Sequence, residues 1–283
     1  MRRHLDGIDH CFALVRDLDA ARATYRRLGF TVSLRGTHSA HKGTANHTIM
    51  FERDYFELLG IVTPTPANSI QRALLDAREG LAAIALRTSN ADETAAELRA
   101  AGIAVGDPLG FSRPVALPNG TIGEAAFRTV QFPDGAAPGF HLFCCQHLTP
   151  ETTWLPELLH HDNSAWGLDH LAVLSSDPPA DAAVLARLLA VAPTVEAPEI
   201  VRVESGTVPI RFLRAATLAA SCPDLDLTTL PAHGLASLGV KVHSLKAAEA
   251  VLTANGVPFT TKGSVLAVGP RDACGVLVQF IER

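Results

Sequence analysis

One pattern of helix start and stop signals recurs along the chain at a fixed spacing. Three cap residues each lie 12 positions before a glycine: Asp17 and Gly29, Asn90 and Gly102, and Ser244 and Gly256. Side chains of Asp, Asn and Ser accept hydrogen bonds from the free N–H groups of a first helical turn, and Gly adopts the left-handed conformation that often ends a helix. Each pair therefore predicts one short helix, and a repeat of this kind constrains the fold more than any single element does.

Apolar segments typical of strands surround each predicted helix. A β-branched and aromatic segment, Ile8–Val15, precedes the first cap, and Tyr55–Val62 is the last apolar run before the next copy. A weaker copy, the third along the chain, has Asp177 as its cap but no glycine after Leu189. The pattern predicts an α+β fold of four tandem βαβββ modules that form curved mixed sheets in two pairs. A parallel α/β sheet is disfavoured because several strands follow each helix.

The predicted boundaries follow from this repeat. Residues 1–148 would hold the first pair of modules, the candidate active half, and residues 166–283 a more degraded and structural second pair. Residues 149–165 contain Pro150, Pro156 and several polar residues, which is typical of a linker. The adjacent His160 and His161 are expected to be solvated there, and Pro64–Asn68 is interpreted as a shorter joint.

Charge and composition exclude several functional classes. The 283 residues include 24 Lys and Arg against 29 Asp and Glu, and no basic cluster of the kind that binds nucleic acid is present. The start of the chain has no apolar signal segment, and no apolar run is long enough to span a membrane. Five scattered cysteines without a CxxC pair indicate reduced thiols, so we expect a cytoplasmic protein. No GxSxG motif or phosphate-binding glycine loop is present.

The first 63 residues carry the most specific motifs: Asp9-His10, Asp17-Leu18, Gly29-Phe30, His38, Gly43-Thr44-Ala45-Asn46 and Tyr55-Phe56-Glu57-Leu58-Leu59-Gly60. Together they resemble the glyoxalase-like domain family of the vicinal-oxygen-chelate superfamily, which includes glyoxalases, bleomycin-resistance proteins and extradiol dioxygenases. The resemblance implies that two modules pair around a cleft. It also implies that the first and last strands of each module supply ligands to a divalent metal.

These implied ligand positions can be assigned residue by residue. His10 lies seven residues before the cap Asp17, and the equivalent positions of the other modules are Ala83, His170 and Ser237. In the last strands, the first module offers Glu57, the second offers His141 in a similar string, and the fourth offers Gln279. The third module has Arg211 as its nearest polar residue. The implied metal ligands are therefore His10, Glu57 and His141. Two imidazoles and one carboxylate suit Fe, Mn, Ni or Zn. Ala83 leaves the fourth glyoxalase position without a donor.

Further polar residues are expected to contact a substrate. His38, Thr44 and Asn46 form a loop that borders the cleft in the family that the chain resembles, and His147 and His170 are additional candidates. Each has a structural alternative, since Thr44 and Asn46 can bond their own backbone and a buried His and Glu can simply be hydrogen-bonded to each other.

Two functions are therefore expected. The first is a metal-dependent lyase, isomerase or dioxygenase in which Glu57 and His10 are catalytic and a substrate chelates the ion through neighbouring oxygens. The alternative is a metal-free protein that binds or sequesters a small molecule, which the vacancies at Ala83 and Ser237 favour. In both cases the partner is a small molecule, with a homodimer as a further expectation.

Overall fold

Two curved eight-stranded sheets follow one another along the chain. The computed structural model describes residues 1–117 and 120–283. The first sheet contains β1 (Leu5–Val15), β2 (Gly36–Thr37), β3 (Thr44–Met50), β4 (Tyr55–Ile61), β5 (Gly80–Thr88), β6 (Leu109–Ala116), β7 (Ile122–Gln131) and β8 (His141–His147). Its strand order is β2-β3-β4-β1-β5-β8-β7-β6. Each module thus contributes four adjacent strands, and the antiparallel pair β1 and β5 joins the two modules.

The second sheet repeats this arrangement with the remaining eight strands. They are β9 (Ala165–Leu174), β10 (Thr194–Ala197), β11 (Ile200–Val203), β12 (Ile210–Leu213), β13 (Gly234–Val242), β14 (Thr260–Lys262), β15 (Val265–Val268) and β16 (Leu277–Glu282). The order β10-β11-β12-β9-β13-β16-β15-β14 matches the first sheet position by position. The predicted α+β fold of four modules in two pairs is therefore confirmed.

The helices begin where the sequence signals place them. The described residues form α1 (Leu18–Arg27), α2 (Ser69–Ala77), α3 (Ala91–Ala100), α4 (Pro178–Leu189), α5 (Ala215–Ser221) and α6 (Leu245–Ala254). The side chains of Asp17, Asn90, Asp177 and Ser244 all accept hydrogen bonds from the first turns of their helices. In the weaker third copy, Ala190 takes the left-handed conformation, with φ of 55°, at the helix end where the other copies have glycine.

Several elements were not predicted from the sequence. The short edge strands β2, β10 and β14, the longer edge strand β6, and the helices α2 and α5 lie in segments for which the sequence pattern predicts no helix or strand. Edge strands are buried on few sides, so their apolar pattern is weak. Helix α2 carries apolar residues at helical spacing, Ile70, Ala73, Leu74 and Ala77, but it contains no buried residue.

The two halves share one hydrophobic core. Buried side chains of both sheets belong to the same apolar cluster, and the rings of Phe30 and Phe280 stack across it at 5.8 Å. The segment of residues 149–165 packs closely against the first half: Trp154 Nε1 donates to the Phe51 carbonyl at 2.9 Å, and His161 Nε2 donates to the Met50 carbonyl at 2.9 Å. His161 is packed rather than solvated, contrary to the expectation from the sequence.

Membrane insertion through a helix has no support in the fold. Within the described part of the chain, no helix has the length and apolarity needed to cross a lipid bilayer.

Close backbone contacts between glycines hold the two sheets together, and this predicts a large cost for added side chains. Gly139 has φ of 79°, and a Cβ placed on it would come within 2.6 Å of the Gly234 Cα. Gly102 has a similar φ of 72° but no atom within 4 Å of such a Cβ. Both Gly→Ala changes strain the left-handed backbone by about 1–2 kcal/mol. We expect Gly139→Ala to lower the free energy of unfolding in urea by about 1–3 kcal/mol more than Gly102→Ala does, because the Gly234 backbone must move aside.

Gly102→Ala is the matched control for that measurement. Equal losses in the free energy of unfolding for the two variants would contradict the inferred backbone contact between the sheets.

Candidate functional site

The concave side of the first sheet encloses a cavity of about 790 Å³. On β1 the side chains alternate between the two faces: Cys11 and Ala13 enter the shared core, whereas His10, Phe12 and Leu14 line the cavity. Its walls are mainly aromatic and aliphatic, and a few polar side chains interrupt them. Those polar residues include His10, His38, Lys42, Thr44, Asn46, Glu57, Arg113, Gln131 and His141. A volume of this size and lining is typical of a small-molecule site.

A local irregularity of β1 sets the orientation of His10. The register between β1 and β5 shifts between Ile8 and His10, so Asp9 does not follow regular pairing. The buried Asp9 carboxylate accepts a hydrogen bond from His10 Nδ1 at 2.7 Å and another from His147 Nε2 at 3.0 Å. Arg87 Nε donates to the other carboxylate oxygen at 3.0 Å. Burial alone would raise the pKa of Asp9, but the hydrogen bonds from His10 and His147 outweigh it and hold the pKa below its ordinary range.

The opposite edge of the His10 ring faces Glu57. With Nδ1 bound to Asp9, the His10 Nε2 atom lies 3.6 Å from Glu57 Oε2 inside the cavity. Asn46 Nδ2 donates to the second Glu57 oxygen at 2.6 Å. The Tyr55 ring stacks on His10 with a centroid separation of 4.3 Å. One imidazole nitrogen and one carboxylate oxygen are therefore held side by side, and each is fixed through its other polar atom.

The polar loop beside this pair contains the predicted ligand contacts His38 and Thr44. His38 Nδ1 and Thr44 Oγ1 are 2.7 Å apart and hydrogen-bonded. Burial lowers the pKa of His38 to about 4, so its imidazole is neutral at pH 7. Both residues line the same cavity as His10, Glu57 and Asn46. Five of the residues selected from the sequence thus meet in one place.

His141 lies on the same cavity wall but apart from the His10–Glu57 pair. Its Nε2 atom is 3.0 Å from Gln131 Oε1, and the Phe143 ring contacts both imidazoles, at 5.7 Å from His141 and 5.5 Å from His10. Burial also lowers the pKa of His141, while nearby Asp134 opposes that shift.

Strand register explains the separation. Glu57 pairs with Phe12, which lies two residues after His10 on β1. Ala83 takes the place of His10 on β5, and the residue two positions after it, Ala85, pairs with Phe143. Phe143 rather than His141 is therefore the counterpart of Glu57, which differs by two residues from the alignment made on sequence.

The other two predicted contacts lie outside this cavity. His147 lines a smaller neighbouring cavity of about 390 Å³ together with Arg87 and Trp154. His170 is buried in the second sheet, where its Nδ1 bonds Asp169 at 3.0 Å and its Nε2 lies 3.2 Å from Gln279. The second sheet thus repeats the Asp–His arrangement of β1, and His170 lines neither of the two cavities.

Apolar side chains fill the concave face of the second sheet. Helix α5 contributes Leu218, and the segment after it contributes Cys222, with Leu225, Leu227 and Leu230 packed against the same cluster. Arg211, which takes the register place of Glu57, pairs with Glu196 at 2.5 Å. In the first half the corresponding helix α2 only borders the cavity through residues such as Ile70 and Leu74.

The donor atoms do not fit a resident catalytic metal ion. Such sites hold the ion with three or more protein ligands, and the four register positions supply His10 and Glu57 but also Ala83 and Phe143. Among residues 1–117 and 120–283, the group of three ligand types with donor atoms within 4.8 Å of one another is Asp9, His10 and Cys145. The Asp9 oxygens already accept three hydrogen bonds, and burial raises the pKa of the Cys145 thiol, which disfavours the thiolate that metals bind.

Sequence reasoning missed several residues of the site. Asp9 could have been found, because the dipeptide Asp-His recurs as Asp9-His10 and Asp169-His170. Lys42 and Phe111 come from a loop and an edge strand whose apolar pattern is weak, and no local signal places them in the cavity.

The sheet order and the cleft define an α+β protein of the vicinal-oxygen-chelate superfamily. A family model described as a glyoxalase-like domain matches residues 8–189, and the chain belongs to that family. No curated protein matches the chain in sequence.

Solved structures share the fold at low sequence identity. A hypothetical protein from Staphylococcus aureus superposes with a TM-score of 0.72 at 13% identity, covering 98% of this chain and 99% of the other. A xylose isomerase-like TIM barrel/4-hydroxyphenylpyruvate dioxygenase fusion protein gives 0.60 at 18% identity, covering 99% of this chain and 49% of the other. A mutant of 4-hydroxymandelate synthase from Streptomyces coelicolor gives 0.58 at 14%, covering 99% and 93%. At these identities the likeness concerns the fold alone.

The lowered pKa of His38 predicts a defined pH dependence of stability. The folded protein holds this proton with a pKa of about 4, whereas the ordinary value is 6.5. The unfolded chain therefore takes up the proton first as the pH falls, and the His38 contribution to stability declines between about pH 6.5 and pH 4.

The His38→Gln variant should remove that dependence. We compare its free energy of unfolding in urea with that of the unaltered protein at each pH. We expect the difference to shift in favour of the variant by about 1–2 kcal/mol when the pH is lowered from 7 to 5. A difference that stays the same at both pH values would show that His38 is not buried as described.

Proposed function

We propose that this chain binds a small organic molecule in the cavity of the first sheet, with His10 and Glu57 as its polar centre and without a resident metal ion. The observation that carries the proposal is the pair of fixed but unbonded atoms, His10 Nε2 and Glu57 Oε2, 3.6 Å apart in an otherwise aromatic cavity. Among residues 1–117 and 120–283, neither atom has a hydrogen-bond partner, so a ligand can contact both.

The shape and lining of the cavity support a ligand with a flat apolar body. Phe12, Phe111, Phe127 and Phe143 line it, and aromatic rings gain most from offset or edge contacts with another ring. Burial of such a body in about 790 Å³ supplies most of the binding free energy, while the few polar groups fix its orientation.

The polar centre selects a ligand that carries a hydroxyl or enol oxygen. Asn46 and Asp9 hold the far atoms of Glu57 and His10, so the two near atoms cannot turn away without losing those hydrogen bonds. A hydroxyl group placed between them donates to Glu57, and its oxygen accepts from His10 when the imidazole is protonated. The same pair can take up a proton from a bound molecule, which is what general base catalysis requires.

Binding is placed ahead of metal-dependent chemistry because of the donor set. Metal-dependent lyase, isomerase or dioxygenase activity stays a prediction from the sequence, supported by the family and by the dioxygenase-type names among the structural neighbours. Phe143 and Ala83 occupy the register positions from which the second module would have to contribute ligands.

One combined measurement tests the proposal. Untagged protein is dialysed against Fe, Mn, Zn or Ni and subjected to elemental analysis, and a panel of catechols, hydroxy acids and vicinal dicarbonyls is screened by thermal shift with and without EDTA. We expect no stoichiometric metal and a ligand-induced rise in Tm that EDTA leaves unchanged. Glu57→Gln should weaken binding of the selected compound about tenfold, as loss of one charge-assisted hydrogen bond does.

Glu196→Gln, which removes a carboxylate of the second sheet, is the matched control and should leave affinity unchanged. About one metal ion per chain, lost on Glu57→Ala and required for ligand binding, would overturn the proposal in favour of a metal-dependent enzyme.

A further inference from the structure

Two cationic side chains in the cavity wall have no anionic partner. Lys42 and Arg113 both line the cavity, and neither side chain forms an ion pair or a hydrogen bond with any residue of the described ranges 1–117 and 120–283. Arg87 and Arg211 are also half-buried, but they are ion-paired with Asp9 and Glu196. Lys42 and Arg113 are thus partly buried cations of the cavity wall without a carboxylate partner among the residues that the structure describes.

Both cations lie on the wall formed by the edge strand β6. The Lys42 ammonium is centred over the Phe111 ring at 3.2 Å. Arg113 is two residues from Phe111 on the same strand, so the two side chains share one face. A Cβ on Gly36 would come within 2.9 Å of Arg113 Nη1 and would also contact Asn46, so the guanidinium lies beside the residue that holds Glu57.

The cavity does not neutralise these charges by itself. Burial lowers the pKa of Lys42, and Glu57 opposes that shift only from a distance at which no ion pair forms. The Glu57 carboxylate is already engaged by Asn46 and faces His10. Asp134 is the other acidic residue of the lining, and its Oδ1 atom lies 4.0 Å from His141 Nδ1. A partly buried cation without a counter-ion is unfavourable, and an anionic ligand would relieve that cost.

We infer that the ligand of this cavity is a small aromatic anion whose acidic group contacts Lys42 and Arg113 while its ring lies among the phenylalanines. The inference rests on the proposed function and adds to it the charge of the ligand. The acidic group faces the β6 wall, and the remaining ring is left within reach of His10 and Glu57. Lys42 and Arg113 thereby select anionic over neutral molecules of the same shape.

Two fluorescent probes with the same aromatic body test the inference. 1-Anilinonaphthalene-8-sulfonate carries one negative charge, and N-phenyl-1-naphthylamine has the same rings without it. In the unaltered protein we expect the sulfonate to bind at least about tenfold more tightly, which corresponds to about one charge-assisted hydrogen bond. The double variant Lys42→Met with Arg113→Met should lose this preference and bind the two probes with about equal affinity. The preference should also decline as salt is added.

A second double variant, Arg3→Met with Lys246→Met, removes two exposed cations away from the cavity and should keep the full preference. Equal affinity for the two probes in the unaltered protein, or the same loss of preference in both double variants, would overturn the inference and leave the proposed function standing. Binding of neither probe would overturn both, so the two failures are distinguishable.

Discussion

The antiparallel pairing of β1 with β5 is the constraint on which the site depends. These strands lie at the centre of the first sheet and join its two modules, so β1 is covered on one face by the core and open on the other to the cavity. The open face has room because β5 carries small side chains there. Ala83 pairs with Phe12 and Ala85 with His10, and neither alanine reaches far above the sheet. Larger residues at these positions would fill the space that a ligand needs.

The two halves show that strand pairing alone does not decide whether a cavity is open. β13 also carries small residues, Ser237 and Gly239, opposite β9. In that half, however, α5 and the leucines after it pack onto the concave face, and His170 lines neither of the two cavities. Helix α2 has no buried residue and leaves the corresponding face of the first sheet accessible. The connecting segments between modules, rather than the strands themselves, therefore determine which half can bind a ligand.

The sequence predicts the repeated frame better than it predicts the site. Caps and terminal glycines act locally, so Asp17 and Asn90 mark their helices without knowledge of the rest of the fold. The place of His141 depends on the pairing of β5 with β8, and an alignment of two similar strings misses it by two residues, which is one full pleat. Lys42 and Arg113 come together only because a loop and an edge strand of the curved sheet approach each other, and no local pattern encodes that approach.

The Asp–His pair by itself does not define a function in this fold. Asp9 with His10 and Asp169 with His170 share the bulged geometry, and each aspartate also pairs with an arginine, Arg87 on β5 or Arg283 after β16. Because the His170 imidazole bonds Asp169 through Nδ1 and faces Gln279 through Nε2, this arrangement is compatible with a purely structural role. What separates the halves is the next register position, where Glu57 faces an open cavity and Arg211 is neutralised by Glu196. A functional assignment for this chain therefore has to rest on Glu57, its support by Asn46 and the unpaired cations opposite, since these are the features that the closed half lacks.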